Sequence, residues 1–431
     1  MKSKAILLSL IFSIFFLRCN RSQSLEKDGG IRIILKIDYS VFCQSVGFTE
    51  KEQQLVQIKV LGEIKNMPVK DFAGFINAYQ KAEEKLFPET SLASIFGSLL
   101  MLNKINYNST NEEVTQALKE EWDTTLLSTT KIIKKRLDQI DAENATIKTE
   151  NGNNIIVEIP GIKNPKRIQP VLLTVGKLGF WNTYDNTDFF SFLIRVNDYL
   201  VKIKYIPKAH DNSISERPKN DTTHLNAAIA SLLKAQNKQN AGSGFPLFFI
   251  LKPLISDDGT LIPGSVIGNV GSKDTAEVKR IFQNDTISRL LPRDSKLLWS
   301  LPVQKNEMTY FELVAVKVDR TGGPYLDGSA ITKAEPQQTK NGNEVSLQMD
   351  SEGTRIWRQM TLYNIDRQIA ISIDNVVYDH PLFHNRIENG KSSITGNFTG
   401  DEVKDLASIL NSGMYPVKLD LVKTEIIEAK K

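Results

Sequence analysis

Cysteine and histidine are scarce in this 431-residue chain: Cys19 and Cys43 are the two cysteines, and His210, His224, His380 and His384 the four histidines. Two cysteines exclude a disulfide-dense scaffold and a cysteine zinc site. Net charge is scarce too. The 54 basic residues are nearly cancelled by 50 acidic ones, leaving +4, and no basic stripe with interleaved aromatics is present. That excludes the usual electrostatic footprint of a nucleic-acid partner. Long apolar runs are missing as well: the conspicuous one, residues 5–17, is 13 residues long, short of the ~20 that cross a bilayer.

That short run nonetheless carries information. Lys2 and Lys4 precede it, giving the charged start and apolar core of a signal peptide, so the chain is expected to be exported. Cys19 follows at once and suggests a thiol acylated after cleavage, although Arg18 stands where a small residue is usual. A lipoprotein, an ordinary signal peptide and a retained N-terminal anchor all remain open for residues 1–23. Beyond them, 41% hydrophobic and 24% charged residues are ordinary for packed domains. The length has room for roughly two or three domains of ~150 residues each.

Periodicity predicts a turn at Gly29 and Gly30, then an alternating strand from Ile31. Residues 49–123 read as mostly helical, with Phe72, Phe75, Ile76 and Tyr79 on one face and Pro68 and Pro88 as breaks. Asn108-Ser109-Thr110 fits a glycosylation sequon but reads more simply as a loop before a helix. A helical stripe at Ile132, Ile133, Leu137 and Ile140 leads to strands at 145–149 and 155–159 about an Asn151–Asn154 turn. A helix from Pro165 to Leu173 and a strand over 178–182 follow. The order β, α, β, β, α, β is that of a ferredoxin-like split unit.

Residues 208–224 form a polar loop, 223–236 a helix, and 245–254 an apolar strand that turns at Asp257-Asp258-Gly259 into a return strand over 261–267. The aspartate pair lacks the spacing of a calcium loop. After a helix over 275–282, extended structure is predicted at 297–301 and 309–318. The last stretch reads as a strand at 344–349, a helix over 351–364, a hairpin turning at Asp374-Asn375 and a strand at 392–395. Thr399 then caps a helix, with Glu402 completing a capping box. Val403, Leu406, Ala407, Ile409 and Leu410 form its apolar face, Gly413 ends it, and a final strand covers 417–422.

No catalytic constellation emerges. His380 and His384 have metal-like spacing, but Pro381 lies between them and the pattern is strand or loop, so packing or solvent roles are expected. No nucleophile elbow, Ser-His-Asp order or Cys-His pair can be assembled. Phe180, Trp181, Tyr184, Trp299 and Trp357 are expected in cores. An exposed cluster among them would suit unfolded polypeptide bound by strand addition at a sheet edge.

The phrases QIAISIDNVV, SSITGNFTGDEVKDLASILNSG, GGPYLDGSAIT and VEIPGIKNPKRIQPVL, with DFAGFINAYQKAEEKLFPETSLASIF in the helical part, resemble the periplasmic domain of SecD. SecD is the accessory subunit of the bacterial Sec protein-export machine, and the likeness is to the long form of the Bacteroidetes group. It covers roughly 25–425. The matching motif positions are Leu25, Gly29, Gly30, Pro160, Gly161, Gly322, Gly323, Gly328, Asp374, Pro381, Gly396, Phe398 and Gly413. Ser24, Glu26 and Lys27 depart from the family's glycine-rich motif, as His380 departs from a small residue.

The resemblance implies an α+β fold: a ferredoxin-like base over 24–185 with a helical insertion at about 49–123, a variable α+β segment over 186–320 and a head module over 321–425. It implies a non-enzymatic export factor without cofactor or metal, at the periplasmic face of the inner membrane and membrane-associated through its N-terminus. Its partners would be unfolded preprotein and the Sec translocon, SecYEG with SecF. The family's proton-conducting membrane part is not in this sequence, so the expected role is binding of emerging preprotein or the translocon. The alternative is a repurposed exported lipoprotein binding module with no translocon role.

Overall fold

The computed structural model describes residues 25–429 apart from 48–49, 98–100, 102, 143, 163, 208–243, 257–258 and 306. The apolar run at 5–17, Cys19, His210, His224, the helix expected over 223–236 and the pair Asp257-Asp258 lie outside the described residues.

Strand Gly30–Ile37 buries Ile31, Ile33, Leu35 and Ile37 and leaves the alternate positions half-exposed, as a sheet with one covered face requires. It pairs with Asn154–Pro160 on one side and Leu419–Ile427 on the other, while Thr146–Glu150 extends the sheet beyond Asn154–Pro160. The four strands are antiparallel with the chain-terminal strand beside the first, the ferredoxin-like order. The closing strand, however, differs from the expected one. Leu178–Asn182 buries consecutive residues on both of its faces and belongs inside a larger sheet, whereas the mostly exposed Leu419–Ile427 suits an edge. Arg32 ties three strands together, reaching Glu158 at 2.7 Å and Glu425 at 3.3 Å.

Between the first two base strands lie helices Tyr39–Val46, Lys51–Ile64, Phe72–Leu86, Leu92–Phe96 and Asn111–Asp138. Phe72, Phe75, Ile76 and Tyr79 are all buried, in one core continuous with the base sheet. Phe72 stacks on Trp122 with ring centroids 5.0 Å apart. Thr110 caps Asn111–Asp138 in a capping box with Glu113, so Asn108 precedes a helix. That helix, 28 residues and about 42 Å long, runs from the insertion to the edge of the second body.

The second body is organised by a sheet that curls on itself. Leu178–Asn182 pairs with Arg367–Ile373, which pairs with Val376–Asp379, then Ser295–Ser300, then Met308–Lys317. Thr183 bridges to Val316 and the Tyr184 N–H donates to the Ala315 carbonyl at 2.9 Å, which closes the ring. Trp181, Leu298, Val314, Val316, Ala370 and Val377 fill this small barrel, and the Trp181 indole N–H donates to Ser372 Oγ at 2.8 Å. The sheet crosses the boundaries expected at 185 and 320.

One outer flank of the barrel packs against helices Asn186–Lys202, Pro246–Ile250 and Thr275–Phe282. The apolar strand expected over 245–254 is thus a short helix in its first half. Pro246 fits a first helical turn, and Leu247, Phe248 and Ile250 all point into the core. A short apolar run cannot by its period distinguish a buried helix from a buried strand. The return strand is correspondingly later, at Val266–Gly271. The other flank carries a three-stranded head sheet, Ile331–Thr339, Gly342–Met349 and Lys391–Phe398, under helices Ser351–Tyr363 and Gly400–Ser412. Among the described residues no helix is long and apolar enough to cross a membrane.

Candidate functional site

The chain crosses twice between base and barrel, at 174–177 and 413–418, and both crossings meet one side chain. Arg136, fully buried near the end of the 28-residue helix, donates to the carbonyls of Val171 at 2.8 Å, Val175 at 3.0 Å and Gly413 at 3.2 Å, and to Ser412 Oγ at 3.0 Å. It also donates to Thr174, and its guanidinium lies 4.0 Å from the centroid of the Tyr415 ring. Burial lowers its pKa, opposed by the nearby Tyr415 and Asp374. A planar fork of donors is what so many convergent carbonyls need.

Asp374 holds the outgoing crossing from the other side. The hairpin Arg367–Ile373 to Val376–Asp379 turns through Asp374 and Asn375 at φ 54° and 64°, the left-handed pair of a tight hairpin turn. The Asp374 carboxylate accepts from the N–H groups of Val175 at 2.7 Å, Gly176 at 3.0 Å and Lys177 at 2.8 Å. The turn predicted at this aspartate is therefore also a clamp on the crossing.

The opposite side of the head is open. Lys391–Phe398 pairs with Gly342–Met349 on one edge, and its other edge faces Val376–Asp379 and forms no ladder among the described residues. Thr395 alone is clipped there, its N–H and hydroxyl donating to Asp379 at 2.7 and 2.5 Å. The cleft between, about 490 Å³, is lined by Leu301, Pro302, Tyr378, His380, Gly396 and Phe398 among others. His380 Nε2 lies 3.1 Å from Glu312 Oε2 on its wall. Burial disfavours the imidazolium, but the hydrogen bond and charge of Glu312, with Asp379, outweigh it and raise the His380 pKa above its ordinary value. His384 instead pairs with exposed Asp366 at 3.0 Å, so the two histidines serve different neighbours.

The motif positions fall into separate groups. Leu25, Gly29, Gly30, Pro160 and Gly161 meet where three base strands converge: Gly30 opposes Pro160, and Gly161 N–H donates to the Gly29 carbonyl at 3.0 Å. A Cβ on Gly30 would sit 2.2 Å from the Ile159 carbonyl oxygen. Gly322 and Gly323 lie in a loop closed by Asp319, and Gly328 packs on Leu178 beside the outgoing crossing. Asp374 and Gly413 belong to the junction. Gly396 and Phe398 line the cleft, and the Pro381 carbonyl accepts from Ile369 N–H at 3.2 Å. Sequence reasoning missed Arg136 and Glu312. A signal for Arg136 existed, since it sits beside Ile133 and Leu137 on an apolar helical stripe; for Glu312 there was none.

Two family models match separate segments. Residues 307–417 match the SecDF P1 head subdomain, and residues 126–185 match the N-terminal part of the P1 domain of protein translocase subunit SecDF. Protein translocase subunit SecD of Rhodothermus marinus is 27% identical over 407 residues, covering 94% of this chain and 62% of the relative. SecD of Desulfurispirillum indicum is 29% identical over 153 residues, 35% of this chain and 29% of the relative. The chain thus spans under two thirds of the length of these relatives. A solved structure of SecDF, described as a membrane component that enhances protein export, is 16% identical with a TM-score of 0.35, covering 70% of this chain and 92% of that one. With both P1 models matched in their order along the chain and one relative aligned along nearly all of it, the chain is similar to the periplasmic domain of SecD.

Proposed function

We propose that this chain serves Sec-dependent protein export at the periplasmic face of the membrane, holding emerging polypeptide without enzymatic chemistry. Strand Lys391–Phe398 carries the proposal. It buries only Ile394 and exposes Thr395, Gly396 and Asn397 in a row, lacks proline, borders a cleft with Tyr378 and Phe398 on its wall, and has an edge that forms no ladder among the described residues. An extended segment added there would gain main-chain hydrogen bonds whatever its sequence, and the aromatic wall would take its larger side chains. The base, with Arg136 and Asp374 at the junction, would hold this edge at a fixed distance from the membrane-proximal partner. The Sec channel subunits are the partners that fit, and the N-terminus, as lipoprotein or anchor, is the membrane attachment that fits.

The test is photocrosslinking in native membranes with a photoreactive residue replacing Asn397. Recovery of preprotein or of Sec channel subunits, competed by an unfolded apolar peptide, is the expected result. Recovery of neither, in cells whose other Sec components are intact, would sink the export role and leave a repurposed binding module.

A further inference from the structure

Between helix Thr275–Phe282, the turns after it and strand Ser295–Ser300 lies a trough of about 500 Å³. Phe282, Leu291, Leu297 and Trp299 line its floor, and Lys279, Arg293 and Lys296 surround it. Through Lys279 and Trp299 it continues into a second trough of about 560 Å³, lined by Ala276, Leu301, Pro302, Phe311 and Val376. One end is therefore cationic over an apolar floor, and the other is apolar.

Among the described residues no carboxylate lines either trough. The acidic residues adjacent in sequence are engaged elsewhere: Asp294 accepts from the Tyr184 hydroxyl, Asp374 from three backbone N–H groups, and Glu277 from Arg280 and Tyr205. Lys279, Arg293 and Lys296 have no ion-pair partner among the described residues. Lys296 Nζ rests instead 2.7 Å from Asn375 Oδ1 and 4.9 Å from the Trp181 ring centroid. Burial and the like charge of Lys177 lower its pKa, so the charge there lacks compensation within the protein.

We infer that this trough binds a single-chain amphiphile with an anionic head, a long-chain carboxylate, its head among Lys279, Arg293 and Lys296 and its chain running toward Pro302 and Phe311. A guanidinium and two ammonium groups lining one trough match a carboxylate, and the apolar floor supplies most of the contact area a small ligand needs. The floor follows strand Ser295–Ser300, whose six residues at about 3.3 Å each run about 20 Å, the length of a common extended fatty-acyl chain. The charged rim lies between the segments matched by the two family models, and the inference stands apart from the export reading.

Displacement of a fluorescent fatty-acid probe from the full chain tests it, with dodecanoate, dodecanol and dodecyltrimethylammonium as competitors of one tail and three charges. Dodecanoate should displace the probe, dodecanol should be weaker by about tenfold or more, and the ammonium should fail. Arg293→Gln, which breaks no side-chain hydrogen bond or ion pair among the described residues, and Lys296→Gln should each weaken dodecanoate by about tenfold. Equal binding of dodecanol and dodecanoate, or affinity unmoved by both substitutions, would overturn the inference. An acidic, apolar decapeptide that competes at far lower concentration than dodecanoate would reassign the trough to polypeptide and overturn it as well.

Discussion

Along Ile331–Thr339 the head sheet ends on Pro336, on charged Lys333 and Glu335, and on the Asn411 side-chain amide, which takes both backbone groups of Ala334 at 2.8 and 2.7 Å. Along Lys391–Phe398, the other edge of the same sheet, there is no proline, one terminal lysine, and a single clip at Thr395. The first edge is closed by several of the devices that keep strands from pairing with strangers. The second has no such proline or amide cap, and its one irregularity is a register break at 395–397. The contrast extends beyond the sheet: on the closed side, toward the junction, Arg136 and Asp374 are engaged in hydrogen bonds to backbone groups, while on the open side lies the cleft. A head that exists to bind would be built with this asymmetry, and it can be broken from either side.

The largest effect is expected on the closed side. Arg136→Met removes a buried donor set and leaves the carbonyls of Val171, Thr174, Val175 and Gly413 without it, which should cost about 3–5 kcal/mol in urea unfolding. Arg136→Lys should recover little of this, because an ammonium cannot serve so many acceptors in one plane. Asp374→Ala comes next, at about 2–3 kcal/mol for the three N–H groups it frees. Asp374→Asn should lose less, since one amide oxygen still accepts. If Arg136→Met unfolded no more easily than a surface variant, the closed side would not be closed by polar saturation.

Much of this was legible beforehand, and the failures have physical causes. The Thr399 capping box, the Asp374-Asn375 turn and the helix Pro165–Leu173 are local, decided by residues within a turn of one another, and they appear as read. The closing strand of the base was misassigned because Leu178–Asn182 is the next strand in sequence, whereas its partner was settled by burial on both faces, a property of the finished barrel. Helix Pro246–Ile250 was hidden by a run too short to show a period. Lys279, Arg293 and Lys296 come from a helix, a turn and a strand, and no spacing could have grouped them. The His380–Glu312 pair reaches across the end of Ser295–Ser300, the strand between their two segments, and only the assembled sheet brings them together.

A smaller effect should convert the closed edge toward the open one. Asn411→Ala strips Ala334, which is almost fully buried, of both side-chain bonds and should cost about 1–2 kcal/mol. Its more telling consequence is functional. Combined with Pro336→Thr, it should create a second edge that takes extended peptide, seen as new crosslinks from a photoreactive residue at Gln338. Absence of such crosslinks in a folded double variant would mean that the open edge owes its binding to the cleft walls and not to unpaired backbone.

The smallest effect concerns the open side and its dependence on pH. His380 in the folded chain has a pKa above its ordinary value, because Glu312 and Asp379 outweigh the burial that opposes its charge. The folded state therefore holds this proton more tightly than the unfolded chain does. The resulting stabilisation is fully present below the unfolded value of about 6.5 and is lost as pH rises through the higher folded value. Unfolding free energy should accordingly fall by under about 1 kcal/mol from about pH 5.5 to about pH 8.5 on account of this pair. His380→Gln keeps a hydrogen-bond donor toward Glu312 but cannot titrate, so the fall attributable to the pair should vanish. Its persistence in His380→Gln would place the titrating group elsewhere. The same comparison repeated with peptide crosslinked at Asn397 would show whether occupancy of the cleft draws on this proton: an occupant that displaces Glu312 from His380 should lower the imidazole pKa, and one that seals the pair from water without breaking it should leave the slope intact.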